Sequence, residues 1–398
     1  MEGIVKIWFY LLIILIFLIG CSEKSNVVSE KQDYIVVLNK AHVKTEALSK
    51  GQFVATQSLV RQMMTEVASP LNLKVEKLFH VTLQGGVYQM TDSEKQQLEK
   101  DPRVAYVEKD EYVSINAAQV QATWGLDRID QPDLPLNGTY EYNANESSDV
   151  NVYVIDTGIQ ITHNDFNGRA VHGYDTVDSD NDATDCNGHG THVAGTIASS
   201  TYGVAKNVKI HGVRVLGCRG GGAYSDVIEG IEWVTSNHKK PAVTNMSLGG
   251  PTSRAIDEAV KASIQAGVTY VIAAGNSNTD ACNASPARVP QAITVGSTDR
   301  YDTRSSFSNY GVCVDIFAPG SDITSTWIGS NQSTKTISGT SMAAPHVAGV
   351  VARYLSSHPE ATPEQVRNEL VQGALSDKIQ RVGSQSPNLL LNTQFLEN

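Results

Sequence analysis

Between residues 150 and 300 the chain alternates short, unbroken apolar runs with amphipathic stretches, and few folds accept that alternation. The runs are Asn151–Ile155 (NVYVI), Val208–Leu216 (VKIHGVRVL), Ala242–Leu248 (AVTNMSL), Val268–Gly275 (VTYVIAAG) and Ala292–Ser297 (AITVGS). Helical spacing of apolar residues covers 189–199, 224–238, 252–266 and 341–356. A strand that is apolar on both sides needs cover on both faces, so the pattern predicts an α/β fold, a parallel sheet with helices on both faces. Ligands of such sheets bind beyond the carboxyl ends of the strands. Polar residues gather there in this chain: Asp156 closes the first run, and Asn276 follows the fourth.

The last helix carries an oddity. GTSMAAPHVAG (Gly339–Gly349) places a proline four residues after Ser341. Proline has no N–H and is tolerated in the first helical turn, so the helix is expected to start close to Ser341. A hydroxyl at that place is either an N-cap or a nucleophile. A nucleophilic serine needs a base, an acid that orients the base, and donors for the oxyanion that forms. His189, in NGHGTHVAG, is a candidate base, and Asp156, in VIDTG, a candidate acid. The Asn276 side-chain amide and the Ser341 backbone N–H are candidate oxyanion donors. Each alone has a plainer reading: a turn aspartate, a structural histidine, a strand and its turn. His192, three residues after His189, suggests a metal pair, but no third ligand stands near in sequence, and His346 reads as a packing histidine. An esterase or lipase of the α/β-hydrolase type uses a G-x-S-x-G elbow and the order serine, acid, histidine; here Ser341 comes last and precedes Met342-Ala343.

Taken together, the motifs resemble the subtilases, and within them the proteinase K family of aqualysin type. The matching segments are WGLDRIDQPDLPLN, VYVIDTGI, CNGHGTHVAGTI, YGVAK, VRVL, NMSLGG, SPARV, FSNYG, FAPG and SGTSMAAPHVAG, spread over 117–398. The resemblance implies a subtilisin-like sheet and a serine endopeptidase with an Asp156–His189–Ser341 triad and Asn276 in the oxyanion hole. It implies a substrate strand held between Gly220, Gly221, Gly222 and Tyr224 on one side and Ser247, Leu248 and Gly249 on the other, with broad specificity and a preference for apolar or aromatic side chains at P1. It also implies disulfides Cys186–Cys218 and Cys282–Cys313, and structural calcium. The calcium ligands would be Asp315 with the carbonyls of Pro290 and Ala292, and Asp127, Asp130 and Gln131 in DRIDQ. A third acidic run, Asp175–Asp185, reads equally as a cation site or a solvated loop. A catalytically silent relative acting in binding is the alternative.

The remaining chain fits an exported precursor. Lys6 precedes an apolar run, Ile7–Ile19, of signal-peptide length, ending in LIGC (Leu18–Cys21), which resembles a bacterial lipobox. Residues 1–20 would be removed and Cys21 would carry lipid, with 21–32 as a tether and the membrane as partner before maturation. A plain secretory signal and an uncleaved anchor are the other readings. Removing Cys21 from five cysteines leaves four, which can pair completely in an oxidising compartment. Residues 33–116 show strands at 33–40 and 104–115 and helices near 55–67 and 91–100, the second with a Thr91/Glu94 capping box. That is a small α+β, ferredoxin-like unit, and the resemblance makes it an inhibitor and folding-chaperone pro-domain, cut off near Asn116–Ala117 to free 117–398. A net charge of −11 argues against nucleic acid as a partner.

Overall fold

The computed structural model describes residues 31–39, 53–81, 83–110 and 116–397. The signal segment, Cys21 and nearly all of the tether lie outside the described residues. The chain divides into two compact units, Met1–Val113 and Ser114–Asn398.

The first unit runs β1 (Gln32–Leu38), α1 (Phe53–Ala68), β2 (Val75–Phe79), β3 (Gly85–Met90), α2 (Asp92–Leu98) and β4 (Val104–Lys109). Its antiparallel sheet has the order β2-β3-β1-β4, the ferredoxin-like arrangement expected from the sequence. Thr91 caps α2 as predicted, with its hydroxyl accepting from Glu94 N–H while Glu94 accepts from Thr91 N–H.

The second unit opens with β5 (Asn116–Val120), α3 (Trp124–Ile129) and β6 (Thr139–Asn143). Then come β7 (Asn151–Asp156), β8 (Ala170–Asp175), α4 (His189–Ala198), β9 (Lys209–Arg214), α5 (Tyr224–Asn237), β10 (Ala242–Met246), β11 (Gly250–Pro251), α6 (Arg254–Gln265) and β12 (Thr269–Ala273). The remainder is β13 (Ala284–Ser285), β14 (Ile293–Thr298), β15 (Ile316–Pro319), β16 (Ile323–Thr326), β17 (Thr334–Ile337), α7 (Thr340–Ser357), α8 (Pro363–Gln372), β18 (Leu375–Ser376) and β19 (Leu389–Leu390). Nine strands form the main sheet in the order β18-β19-β15-β14-β12-β10-β7-β9-β8. All adjacent pairs are parallel except β18 with β19.

Side chains alternate across each strand, so one strand serves two cores. Val152 and Val154 of β7 join the cluster built with α4 and α7. Tyr153 and Ile155 join the cluster built with α5 and α6. From β7 the order continues through β9 to β8, and from its neighbour β10 the other way through β12, β14 and β15. The reversal lies between β7 and β10, and folds of this kind place their ligand crevice at such a point, beyond the carboxyl ends of the strands.

Helix α7 starts next to Ser341 as expected, but its proline is not in the first turn. The helix begins at Thr340, and Pro345 is its sixth residue, past the first turn. A residue there would donate to the carbonyl four back, that of Ser341, so Pro345 leaves that carbonyl without its helical partner. The Ser247 hydroxyl donates to it instead, at 2.8 Å. The missing bond is thus replaced from the end of β10.

Helix α7 crosses close to the end of α4, and Gly349 makes the approach possible: a Cβ there would lie 2.5 Å from Val204 Cβ and 3.2 Å from the Ile197 carbonyl. Gly349→Val is expected to lower stability by about 1–3 kcal/mol through overpacking. The check is the thermal unfolding midpoint followed by circular dichroism.

Candidate active site

Asp156 ends β7 with no solvent exposure. Its carboxylate accepts from Thr157 N–H at 2.7 Å and faces His189 Nδ1 at 2.8 and 3.0 Å. His189 is the first residue of α4, and its loop is held by Asp185. That side chain accepts from the N–H groups of Asn187 (2.8 Å), Gly188 (2.8 Å) and Thr191 (2.9 Å), and from the hydroxyls of Thr157 (2.9 Å) and Thr191 (2.6 Å). A carboxylate at a helix N-terminus satisfies free amides and complements the dipole. The loop bearing Asp156 and the helix bearing His189 also touch directly: a Cβ on Gly190 would stand 2.2 Å from the Gly158 carbonyl.

Burial lowers the His189 pKa, but the Asp156 charge and hydrogen bond, with Asp185 behind them, outweigh it, and the pKa is raised above 6.5. His192, the suggested metal partner, faces the carbonyls of Ile323 and Lys335 at 3.0 and 3.1 Å, and burial depresses its pKa to about 4. His346 lies 2.9 Å from the Met342 carbonyl and is a packing histidine.

Ser341 is the second residue of α7 and meets Ser247 twice. Its Oγ donates to the Ser247 carbonyl at 3.1 Å, and its carbonyl takes the Ser247 hydroxyl. Asn245 lies opposite Val154 in the β10–β7 register, so Ser247 and Asp156, each two residues further on, stand at neighbouring strand ends. Among the described residues no hydrogen bond joins Ser341 Oγ to His189; such bonds often tighten only when substrate arrives. Asn276 is set by Thr340, whose N–H and hydroxyl donate to its Oδ1 at 2.8 and 2.9 Å. Its Nδ2 is thereby left for another acceptor. A Cβ on Gly339 would be 3.6 Å from both this Nδ2 and the Ser341 N, so the two donors flank one small space.

Beside it lies a cleft of about 400 Å³, bounded by Leu248, Gly249, Asn276, Ala284, Thr340 and Ser341, with Thr279, Asn283 and Ala287 further along. Gly220, Gly221 and Gly222 are exposed, and nothing lies within 4 Å of a Cβ placed on Gly221. The Tyr224 hydroxyl donates to the Pro251 carbonyl at 2.8 Å, two residues past the second suggested groove segment. Sequence reading missed Asp185 as an anchor, Thr340 as the residue that aims Asn276, and the cleft wall at 279–287. The threonine of the GTS signature was the visible signal for Thr340; nothing in the sequence ties 279–287 to Ser341.

Both disulfides are formed: Cys186–Cys218 has its Cα atoms 4.9 Å apart, and Cys282–Cys313 5.3 Å. The first starts directly after Asp185.

The three acidic regions differ in their fit to calcium, which takes carboxylate, amide and carbonyl oxygens. Among the described residues no three His, Cys, Asp or Glu side chains cluster as a metal site. In DRIDQ, Asp127 accepts from Asn137 and Gly138 N–H, but Asp130 Oδ1 and Gln131 Oε1 are buried without partners. Burial, with Asp127 adding to it, pushes the Asp130 pKa up to about 7, although the Glu141 N–H opposes this. Orphaned oxygens around a second carboxylate suit a cation. Asp315, by contrast, already pairs with Arg367, and its other oxygen accepts from Thr294 N–H at 2.8 Å. In this arrangement the Arg367 guanidinium supplies the positive charge at Asp315. The 175–185 run is also committed: Arg214 pairs with Asp175 and Asp178 at 2.6 and 2.7 Å, and Asp185 caps α4.

The chain matches the Subtilase family over residues 147–391 and Peptidase inhibitor I9 over residues 33–116. It is 56% identical over 322 residues to an extracellular serine proteinase of Thermus sp. (strain Rt41A), spanning 81% of this chain and 78% of that one. It is 49% identical over 352 residues to alkaline serine exoprotease A of Vibrio alginolyticus, spanning 87% and 64%. A solved cold adapted subtilisin-like serine proteinase superposes with a TM-score of 0.66 at 57% identity, over 69% of this chain and 98% of that one.

A raised histidine pKa favours the folded state fully below pH 6.5, and that contribution is lost as pH rises through the folded value. In Ser341→Ala protein the His189 imidazole is expected to titrate above 6.5 by NMR, and Asp156→Asn should bring it down.

Proposed function

Because the chain belongs to the subtilase family of serine peptidases, we propose that it is a self-maturing endopeptidase of broad specificity whose nucleophile is Ser341. His189 takes the Ser341 proton through Nε2 as Oγ attacks a peptide carbonyl, and Asp156 fixes the ring tautomer and stabilises the imidazolium. The tetrahedral oxyanion sits between Asn276 Nδ2 and the Ser341 N–H. His189 then returns the proton to the leaving amine, and a water molecule repeats the sequence on the acyl-enzyme. The observations that carry this reading are the His189–Asp156 hydrogen bond at the end of β7 and the Asn276 amide aimed by Thr340, the neighbour of Ser341.

Substrate would add as a strand between Gly220–Tyr224 and Ser247–Gly249, held largely by main-chain hydrogen bonds, so the groove reads backbone more than side chain. The cleft beside Ser341 is walled by small and amide side chains with no charged group among them, which favours an apolar or aromatic P1 residue. The inhibitor-type unit would inhibit the peptidase and be cut off near Asn116–Ala117. Cys21 would hold the exported precursor at a membrane until that cut releases 117–398. Calcium at Asp127, Asp130 and Gln131 would supply the positive charge those oxygens lack.

Three outcomes are expected. Ser341→Ala should accumulate as uncut precursor and clear no casein; cutting near Ala117 in purified mutant would refute self-maturation. Chelation should lower the melting temperature of inhibitor-blocked enzyme, calcium should restore it, and Asp130→Asn should abolish the difference; a hundredfold excess over Kd corresponds to about 2.7 kcal/mol. Fatty-acid labelling of the precursor should vanish in Cys21→Ala with peptidase activity unchanged.

A further inference from the structure

Asn276 lies in an exposed turn, yet an oxyanion donor must already point correctly when charge develops. The turn is gripped by Asn309, a 3%-exposed side chain in FSNYG that also borders the cleft. Asn309 Oδ1 accepts from the N–H groups of Ser277 and Thr279, each at 3.1 Å, and from the Thr279 hydroxyl at 3.3 Å. Its Nδ2 donates to the Ala274 carbonyl at 2.8 Å, and its backbone N–H to the Gly275 carbonyl at 2.9 Å. These contacts fall on both sides of Asn276, and among the described residues no hydrogen bond joins Asn309 to Asn276 or Ser341. The fit is close. Gly275 has φ +102°, and a Cβ there would stand 2.5 Å from Asn309 Nδ2. Asn278 is also left-handed, at φ +52°, so the turn needs external bonds to hold its shape.

We propose that Asn309 is a positioning residue for the oxyanion donor: it fixes the backbone on both flanks of Asn276, while Thr340 fixes the side chain. The proposal rests on the reading of Asn276 as that donor. It predicts a loss of transition-state stabilisation that passes through Asn276, with little change in substrate binding.

The test is a double-mutant cycle on mature enzyme, with rates taken per titrated active site so that misfolded protein is not counted. Asn276→Ala is expected to lower kcat by about 10²–10³, the loss known for the corresponding subtilisin residue. Asn309→Ala should lower kcat by about 10–10², with KM within about twofold, and should weaken a peptide boronic acid by a similar factor. In the Asn276→Ala background the same change should cost less than about threefold. Asn309→Asp keeps the acceptor side and should fall between wild type and Asn309→Ala; it serves also if the alanine variant does not fold. A lower melting temperature with unchanged kcat, or a loss that multiplies fully in the double mutant, would overturn the proposal. An Asn276→Ala enzyme with undiminished kcat would instead overturn the reading of Asn276 itself.

Discussion

A fully buried carboxylate is stable only where donors surround it, and Asp156 is such a group at the end of a central strand. Much of the local chain follows from satisfying it. The next residue turns its N–H back, and His189 supplies the second donor from another element. The histidine must arrive at a helix start, where a glycine lets the two backbones close. Asp185 then ties the same two pieces through Thr157 and Thr191. Two buried carboxylates thus share one hydrogen-bonded frame, and the histidine ring is fixed before any substrate is present.

The serine side is held by a different device. Removing one helical N–H with Pro345 frees the Ser341 carbonyl, and the strand-end Ser247 occupies it. A defect in the helix becomes a link between the helix and the groove. Ser247 is itself held, its hydroxyl accepting from the buried Asn245 amide at 2.9 Å. The position of Ser341 along the helix axis is therefore referred to β10, next to the strand that carries Asp156.

What the sequence revealed was what repeats or what clusters. The unbroken apolar runs indicated parallel strands within a residue or two, and the helix at 189–198 was evident from its spacing. Asp156, His189 and Asn276 stood out because each adjoins a glycine or a strand end, and Ser341 because a proline follows it four residues on. Long-range pairing was not visible. Arg367 meets Asp315 from α8, and neither residue signals the other in sequence. Asp185 looked like one more acid in a crowded run, whereas its five donors come from the folded loop. The partner of the carbonyl that Pro345 leaves free was not visible either, because the compensating hydroxyl lies about a hundred residues away.

The sheet has two faces: the helices bearing His189 and Ser341 pack on one, and the cleft residues Leu248, Ala284 and Ala287 join the cluster on the other. Val152 and Val154 look toward the helices that carry His189 and Ser341, while Tyr153 and Ile155 look toward α5 and α6. Changes in widely separated sites with no shared partners tend to add independently. Substitutions in the α5–α6 layer away from Leu248, Ala284 and Ala287 are therefore expected to change stability with little effect on the geometry around His189 and Ser341. One continuous run of apolar residues in each strand makes that division of labour available.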